Sequence, residues 1–308
     1  MMLNVRNNRG SSIEIPFLAN APCPCQSGRR YDHCHGRNGS APSSSFKLRL
    51  PPDPRTGIAN PKCYMRHTCD CDPIISGEHY LSAAILKQFG QLRSIGLPGR
   101  LDQMDSIPLD ALRANVLCRR HNAALSPLDT AAGHAFSQIL AARENLFNPE
   151  RNRRRERHFL VDGYAIELWC LKTLLALHEG GITRVNGQKT STALSFDVEA
   201  AVETLFSGQL QAPYGLYLDG SIRPRGVGAS IAALSHNGTL VGIQVQLIYV
   251  RFSCIFPPTP TLLTDTERNI YRLRIGRYHN KEFRSLIHFA WNGINVGDSL
   301  YNEELDLP

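Results

Sequence analysis

The clearest hydrophobic pattern lies in the second half of the chain and predicts a helix that is buried on all sides. The stretch from Asp162 to about Glu179 contains AIELWCLKTLLAL, in which apolar residues fall on almost every face of a helix. Gly180 and Gly181 follow, and glycine is the residue type that most readily ends a helix. A helix without a polar face must pack against other elements, so this segment predicts the centre of a folded domain.

The remainder of the second half predicts an α+β arrangement. An amphipathic helix is expected over 197–207, and further on apolar residues alternate with polar ones, as in half-buried strands. The alternation slips by one position near 247–248, which predicts a β-bulge in one long strand, and Asn237-Gly238 is a favoured hairpin turn. Strands are predicted at 229–235, 241–254, 270–277 and 283–291. We expect an α+β domain with an antiparallel sheet, without a catalytic signature, in this half.

The first half is more irregular and divides into shorter units. One helix is predicted from about Glu78 and another over about 127–146, with Ser126 as its N-cap and Pro127 in its first turn. The stretch 38–60 is rich in Ser, Pro and Gly and is typical of a linker. The expected segments are 1–37, the linker 38–60, a unit at 61–146, a basic linker at 147–158 and the α+β domain at 159–308.

Length and composition exclude several classes of protein. The chain has 308 residues, 42% of them hydrophobic and 20% charged, which is ordinary for a protein with a buried core. The apolar runs are shorter than the roughly 18 residues that a membrane span needs. Residues 1–20 lack the apolar block of a secretory signal. We therefore expect a cytoplasmic protein that does not span a membrane.

Positive charge is concentrated in the first half of the chain. The net charge is +7, but residues 1–158 contain 22 Lys and Arg against 13 Asp and Glu, whereas residues 159–308 contain 12 against 14. Five arginines lie between Arg151 and Arg157, and such a stripe is either solvated or in contact with phosphates. This asymmetry of charge indicates that the first half binds a polyanion, and nucleic acid is the expected partner.

Cysteine is concentrated in the same half. Seven of the nine cysteines lie between Cys23 and Cys118, and in a chain without a secretory signal such clustering favours metal over disulfides. Residues 22–36 (PCPCQSGRRYDHCHG) have the spacing Cys-x-Cys-x8-Cys-His. This spacing supplies four soft ligands, as tetrahedral zinc requires, and a segment this short needs the metal in order to fold.

This segment resembles the SEC-C motif, a zinc module of the SecA translocase ATPase and of many other bacterial proteins. The resemblance implies that the zinc ligands are Cys23, Cys25, Cys34 and His35. It also implies that the module attaches the chain to a protein partner or to nucleic acid. Gln26 stands where the motif usually has Gly. Four protein ligands leave no open position on the metal, so this site is not expected to catalyse a reaction.

A second constellation is longer and contains Cys63, Cys69 and Cys71, then Glu78-His79, then the run Cys118-Arg119-Arg120-His121-Asn122. Its order resembles that of the HNH endonucleases over residues 63–136. That family has a ββα-metal site and often a structural zinc. The resemblance implies a zinc site formed by Cys63, Cys118, His121 and either Cys69 or Cys71, and we favour Cys71.

The same resemblance implies a catalytic site. His79 matches the general base that activates a water, Glu78 the acidic residue that helps to bind a catalytic Mg²⁺ or Mn²⁺, and Asn122 the position of the last metal-binding His. A neutral His beside a carboxylate-held metal can hydrolyse a phosphodiester bond, because it generates a deprotonated water next to a cation that stabilises the phosphate charge. We therefore expect a metal-dependent endonuclease that acts on nucleic acid, most readily DNA, with about two structural zinc ions.

Other interpretations stay open at the level of sequence. In one, the unit at 61–146 is a non-catalytic zinc module that binds nucleic acid or protein, with Glu78 as a helix-start carboxylate and His79 as a packing or solvated side chain. In another, the SEC-C motif makes the chain an adaptor that recruits a partner. Convergence of Glu78, His79 and Asn122 in the fold is the feature that separates a nuclease from these alternatives.

Overall fold

The computed structural model describes residues 3–6, 12–15, 17–25, 27–36, 44, 46–48, 51–89, 93–94, 105–106, 108, 112–147, 156–181, 184–185, 188–189, 195–208, 210–219, 228–257, 269–273, 275–280, 283–291 and 302–306. In these ranges helices and strands alternate irregularly along the chain, and the expected α+β class is confirmed.

The helices are α1 (Ala83–Leu86), α2 (Arg119–Phe147), α3 (Gly163–Gly180) and α4 (Val198–Ser207). The strands are β1 (Leu3–Arg6), β2 (Ser12–Ile15), β3 (Ile75–His79), β4 (Arg93–Ser94), β5 (Asp105–Ser106), β6 (Arg113–Cys118), β7 (Glu156–Asp162), β8 (Arg184–Val185), β9 (Gln188–Lys189), β10 (Gly215–Asp219), β11 (Ala229–His236), β12 (Thr239–Leu247), β13 (Val250–Ile255), β14 (Asn269–Tyr271), β15 (Ile275–Asn280), β16 (Phe283–Ala290) and β17 (Asn302–Asp306).

Helix α3 lies at the centre of the core, and its prediction is confirmed. It begins after Asp162, whose carboxylate accepts a hydrogen bond from the Ala165 N–H at 3.0 Å. It ends at Gly181, which has the left-handed φ of 63° that glycine adopts readily. All side chains from Ala165 to His178 are buried, as expected for a helix that is apolar on every face.

A five-stranded antiparallel sheet packs against α3. Its order is β11-β12-β13-β10-β14. The Asn237-Gly238 hairpin turn is confirmed, with φ of 47° and 74°. The prediction of one long bulged strand at 241–254 was wrong, because a tight turn at Ile248, with φ of 59°, separates β12 from β13. A register shift occurs instead between Leu234 and Ser235.

A second sheet has four strands in the order β17-β15-β16-β7 and is mixed. β15 and β16 are antiparallel, whereas β16 pairs with β7, and β15 with β17, in parallel. The predicted antiparallel sheet therefore describes the five-stranded sheet but not this mixed one. Strand β7 begins at Glu156, within the predicted basic linker 147–158. The arginines of the stripe before residue 156 lie outside the described residues.

Strands β3 and β6 pair antiparallel although α1, β4 and β5 lie between them in the chain, and this two-stranded pair is called the hairpin below. Helix α2 follows β6 directly. The predicted start of the first helix near Glu78 was wrong, because Glu78 pairs with Ala114 inside β3 and the helix, α1, begins only after its N-cap Ser82. The predicted start of the long helix was also wrong, since α2 begins at Arg119 and contains Pro127 in its interior.

Ser126 explains how α2 tolerates that proline. Pro127 has no N–H to donate to the carbonyl of Ala123, four residues earlier. The Ser126 hydroxyl donates a hydrogen bond to this carbonyl at 2.9 Å. The residue that the sequence pattern suggests as a helix cap thus satisfies a carbonyl within the helix.

A single cluster of buried apolar side chains extends from Cys63 to Trp291, so the hairpin, α2, α3 and the five-stranded sheet share one core. The segment around Cys23 has a small separate cluster, in which Phe17 and Tyr31 meet Leu160 and Ala290. Among the described residues, none of the helices has the length and apolar character that crossing a bilayer demands.

Candidate metal centres

The first metal centre is formed by the predicted ligands of the short N-terminal segment. The ligand atoms of Cys23, Cys25, Cys34 and His35 all lie within 4.8 Å of one another, and all four side chains are buried. The Cys25 and Cys34 sulfurs are 3.7 Å apart, close to the roughly 3.8 Å between two sulfurs on a tetrahedral zinc with bonds of about 2.3 Å. The residues therefore fit a structural zinc ion, with no ligand position left open.

His35 is oriented by a carboxylate from the main body of the protein. Its Nδ1 lies 3.3 Å from the Cys23 sulfur and 3.2 Å from the Cys34 sulfur, and its Nε2 lies 3.3 Å from Asp162 Oδ2. A carboxylate on the outer nitrogen fixes the tautomer and the orientation of a zinc-bound histidine. Asp162 is also the N-cap of α3 and accepts a hydrogen bond from the Ser44 hydroxyl at 2.7 Å. The first centre is thus tied to the central helix.

The second metal centre joins the loop before β3 to the start of α2. The ligand atoms of Cys63, Cys71, Cys118 and His121 lie within 4.8 Å of one another, and the four residues are at most 1% exposed. His121 Nδ1 lies 3.6 Å from the Cys63 sulfur, 3.8 Å from that of Cys71 and 3.1 Å from that of Cys118. These spacings also suit a tetrahedral zinc, for which sulfur and nitrogen ligands lie about 3.6 Å apart.

Backbone N–H groups and one hydroxyl support the second centre. The Cys118 N–H donates to the Cys63 sulfur at 3.3 Å, and the Asp72 N–H donates to the Cys118 sulfur at 3.3 Å. Thr68 Oγ1 lies 3.3 Å from His121 Nε2 and so holds the outer nitrogen of this ligand. Hydrogen bonding with Cys63 lowers the pKa of Cys118 to about 3, which favours the thiolate that zinc binds. Cys69 is exposed and lies outside the cluster.

Glu78 forms a buried ion pair with a lysine in this structure. It is 3% exposed, and its carboxylate lies 2.6 Å from the ammonium of Lys172 on α3. The same ammonium contacts Asp129 on α2. Burial raises the pKa of Glu78, and the positive charge of Lys172 opposes that rise. The residue that resemblance assigns to a catalytic metal therefore lies in a buried ion network.

The contacts observed among the described residues do not bring His79 and Asn122 together with the Glu78 carboxylate. Successive side chains of a strand point to opposite faces, so the half-buried His79 leaves β3 on the face opposite to Glu78. The Asn122 amide donates a hydrogen bond to the Ser76 hydroxyl at 2.8 Å. In the described part of the chain, the two Cys3His groups are the clusters of three or more His, Cys, Asp or Glu side chains that could hold a metal.

Sequence reasoning missed several residues that complete these sites. Asp162 and Thr68 hold the outer nitrogens of the two histidine ligands, and Lys172 neutralises Glu78. The sequence did contain a signal for the ion pair of Lys172, because Lys172 and Glu167 are charged residues in a mostly apolar helix, where each buried charge requires a partner. The partners could not be named, since they come from distant parts of the chain.

A cleft of about 750 Å³ opens between the first centre and α2. Arg29 and Lys47 line it from one side, and Ser126, Thr130 and His134 line it from the helix. Arg29 and Lys47 are exposed. The cleft therefore has a positively charged margin beside the zinc module.

Comparison with known proteins agrees with the first centre. The model of the SEC-C motif family matches residues 20–37, which include all four ligands of that centre. No curated protein and no solved structure matches the chain. The family match covers a small part of the chain and describes this module alone.

Proposed function

We propose that the chain is a zinc-stabilised binding protein, and that its hairpin–helix unit (β3, β6 and α2) is non-catalytic and contacts nucleic acid. The observation that carries the proposal is the buried ion pair of Glu78 with Lys172. A carboxylate that already compensates an internal cation is a poor ligand for an added metal. Both Cys3His centres favour a structural role as well, because each supplies a full set of four protein ligands.

Exposed cations near the two centres support nucleic acid as the partner. Arg55 and Lys62 lie on the exposed loop that leads into the second centre, and Arg29 and Lys47 lie at the cleft beside the first. Each of these side chains is exposed to solvent, where it can displace the counterions of a phosphate backbone. The excess of positive charge in residues 1–158 adds a longer-range attraction.

Salt-dependent binding tests this proposal. A short fluorescent DNA duplex is titrated with the zinc-loaded protein, and anisotropy is measured between about 50 and 200 mM salt. We expect the affinity to fall by about 10² over this range if four phosphates are contacted. Lys62→Ser should lower the salt slope by about one, whereas Lys87→Ser, an exposed lysine at the end of α1, should leave it unchanged. Binding that is weak and independent of salt would point to a protein partner of the SEC-C module.

A second candidate function is a metal-dependent endonuclease of HNH type. The observation that favours it is the arrangement around the second centre, because the antiparallel strands β3 and β6 and the helix α2, which follows β6 directly, surround its Cys3His group. In this proposal His79 is the general base, and Glu78 must leave Lys172 to bind Mg²⁺ or Mn²⁺ together with Asn122.

Plasmid cleavage in the presence of Mg²⁺ or Mn²⁺ decides between the two proposals. A nuclease should lose activity by about 10² or more in His79→Ala, the usual contribution of a general base. His67→Ala is the matched control, since His67 is a half-exposed histidine outside the hairpin. Wild-type cleavage that disappears in His79→Ala and persists in His67→Ala would reject the non-catalytic proposal.

A further inference from the structure

A buried lysine joins three elements that are distant in sequence. Lys172 on α3 is 1% exposed. Its ammonium lies 2.6 Å from Glu78 Oε1 on β3 and contacts Asp129 Oδ2 on α2. Glu78 is buried and Asp129 is half-buried. One positive and two negative groups therefore meet where the hairpin, the long helix and the central helix pack together.

The groups around the ammonium are oxygen donors. The carboxylates of Glu78 and Asp129 both lie against Lys172 Nζ. Carboxylate oxygens are the ligands that hard divalent cations such as Mg²⁺ and Mn²⁺ prefer.

We propose that Glu78 and Asp129 form a cation site whose permanent occupant is the Lys172 ammonium, so that a cation of the chain itself takes the place of a divalent metal in the hairpin–helix unit. This inference rests on the proposed non-catalytic function and deepens it. It states which group compensates the carboxylates, and it implies that removal of the lysine exposes a metal site.

The electrostatics explain why this occupant is permanent. Two carboxylates are costly to bury unless a cation compensates them. Lys172 is part of the chain and loses no translational freedom when it fills the site, whereas a metal ion must be captured from solution. Burial acts to lower the pKa of Lys172, but the charges of Glu78 and Asp129 raise it above its usual value, so the ammonium stays charged at neutral pH.

Removal of the ammonium tests the proposal. Lys172→Ala leaves two uncompensated carboxylates beside a vacated space. The zinc-loaded wild type and the variant are titrated with MnCl₂, with bound Mn²⁺ counted by electron paramagnetic resonance and Tm measured in parallel. We expect no Glu78-dependent Mn²⁺ binding in the wild type. Lys172→Ala should bind about one Mn²⁺ and gain at least about 3 °C in Tm at saturation.

A matched variant identifies the ligands. Lys172→Ala/Glu78→Gln keeps the vacated space but removes one carboxylate, and its Mn²⁺ affinity should be at least about tenfold weaker. If Lys172→Ala folds only when Mn²⁺ is present, recovery of the native circular dichroism spectrum replaces Tm as the readout. Lys172→Met is then the control, because it fills the vacated space with an apolar side chain. Addition of Mn²⁺ should not restore the native spectrum of Lys172→Met.

Two results would overturn the inference. In the first, Mn²⁺ neither raises the Tm of Lys172→Ala nor restores its folding. This result would reject the cation site but would not affect the proposed binding of nucleic acid. In the second, the wild type itself binds Mn²⁺ in a way that Glu78→Gln abolishes. Combined with His79-dependent plasmid cleavage, the second result would reject the proposed function as well, so the two failures are distinguishable.

Discussion

Asp162 is a single carboxylate that holds two structures at once. One oxygen accepts the hydrogen bond of the Ala165 N–H at the start of α3, and the other lies 3.3 Å from Nε2 of the zinc ligand His35. A helix cap and the support of a metal ligand are usually separate residues. Here their combination makes the position of the zinc module depend on the start of the central helix.

Asp162→Ala should therefore weaken zinc binding as well as stability. We expect the affinity of the first centre for zinc to fall by about 10 to 100-fold, and the free energy of unfolding to fall by about 0.5–2 kcal/mol. Competition with a chromophoric chelator measures the affinity, and urea unfolding measures stability. Asp197→Ala is the control, because Asp197 caps α4 through the same type of bond to the Ala200 N–H. It should lower stability alone, and an equal loss of zinc affinity there would contradict the role of Asp162.

A second important interaction between single residues is the buried ion pair of Glu167 and Arg272. The guanidinium donates to both carboxylate oxygens, at 2.8 and 3.0 Å, and also to the Leu210 carbonyl at 2.8 Å. The carboxylate in addition accepts the Leu216 N–H at 2.8 Å. This network fixes the five-stranded sheet to α3, and every charge in it is compensated.

Arg272→Met should lower the free energy of unfolding by about 3–5 kcal/mol, because it leaves a buried carboxylate without its partner. Glu167→Gln/Arg272→Met should recover part of that loss, since the remaining group is neutral. Arg119→Met serves as the control, because the ion pair of Arg119 with Asp72 is exposed on the arginine side and should contribute less than about 1 kcal/mol. Equal effects of the two arginine substitutions in urea unfolding would contradict this account.

At the scale of single residues, the sequence identifies ligands better than it identifies their supports. The ligands of the first centre could be named from their spacing, because zinc requires a small set of residue types close together. Those of the second centre followed from the resemblance of residues 63–136 to the HNH family, which left Cys69 and Cys71 as alternatives. Glu167 and Lys172 could be recognised as unusual charges in an apolar helix. Their partners Arg272 and Glu78 could not, because tertiary packing alone brings them together.

At the scale of elements, prediction succeeded where the local pattern is long or the turn chemistry is specific. Helix α3 and the Asn237-Gly238 turn are of this kind. The predicted starts of two helices, near Glu78 and at α2, were wrong. Whether residues 75–79 form a strand depends on pairing with β6, which is about 35 residues away and leaves no mark on the local pattern.

The turn between β11 and β12 provides a prediction at this scale. Gly238 has a φ of 74°, which costs a residue with a side chain roughly 1–2 kcal/mol. Gly238→Ala should lower the free energy of unfolding by about that amount in urea titration. Gly228→Ala is the matched control, since a Cβ at Gly228 meets nothing within 4 Å and its φ is not left-handed. A larger loss from Gly228→Ala than from Gly238→Ala would show that turn geometry does not govern this hairpin.

At the scale of the whole molecule, the two metal centres differ in their relation to the core. Cys63, Cys71 and Cys118 belong to the large apolar cluster that includes α2, α3 and the five-stranded sheet. Cys23, Cys25 and Cys34 belong to a small cluster with few partners from the main body. Loss of the second zinc should therefore disturb the main core, whereas loss of the first should release only the N-terminal module.

Zinc content and stability of three cysteine variants test this difference. The wild type should contain about two zinc ions per chain, as measured by elemental analysis. Cys34→Ser should contain about one and keep the main urea transition, because the main core lies outside its cluster. Cys118→Ser should lose the second zinc and lower the stability of that transition by several kcal/mol, in line with the folding energy that structural zinc sites contribute. Cys69→Ser is the control, since Cys69 is exposed outside both clusters and its variant should keep two zinc ions. If Cys34→Ser unfolds the main core, or if Cys118→Ser leaves the main transition unchanged, the two centres do not have the separate structural roles that their surroundings indicate.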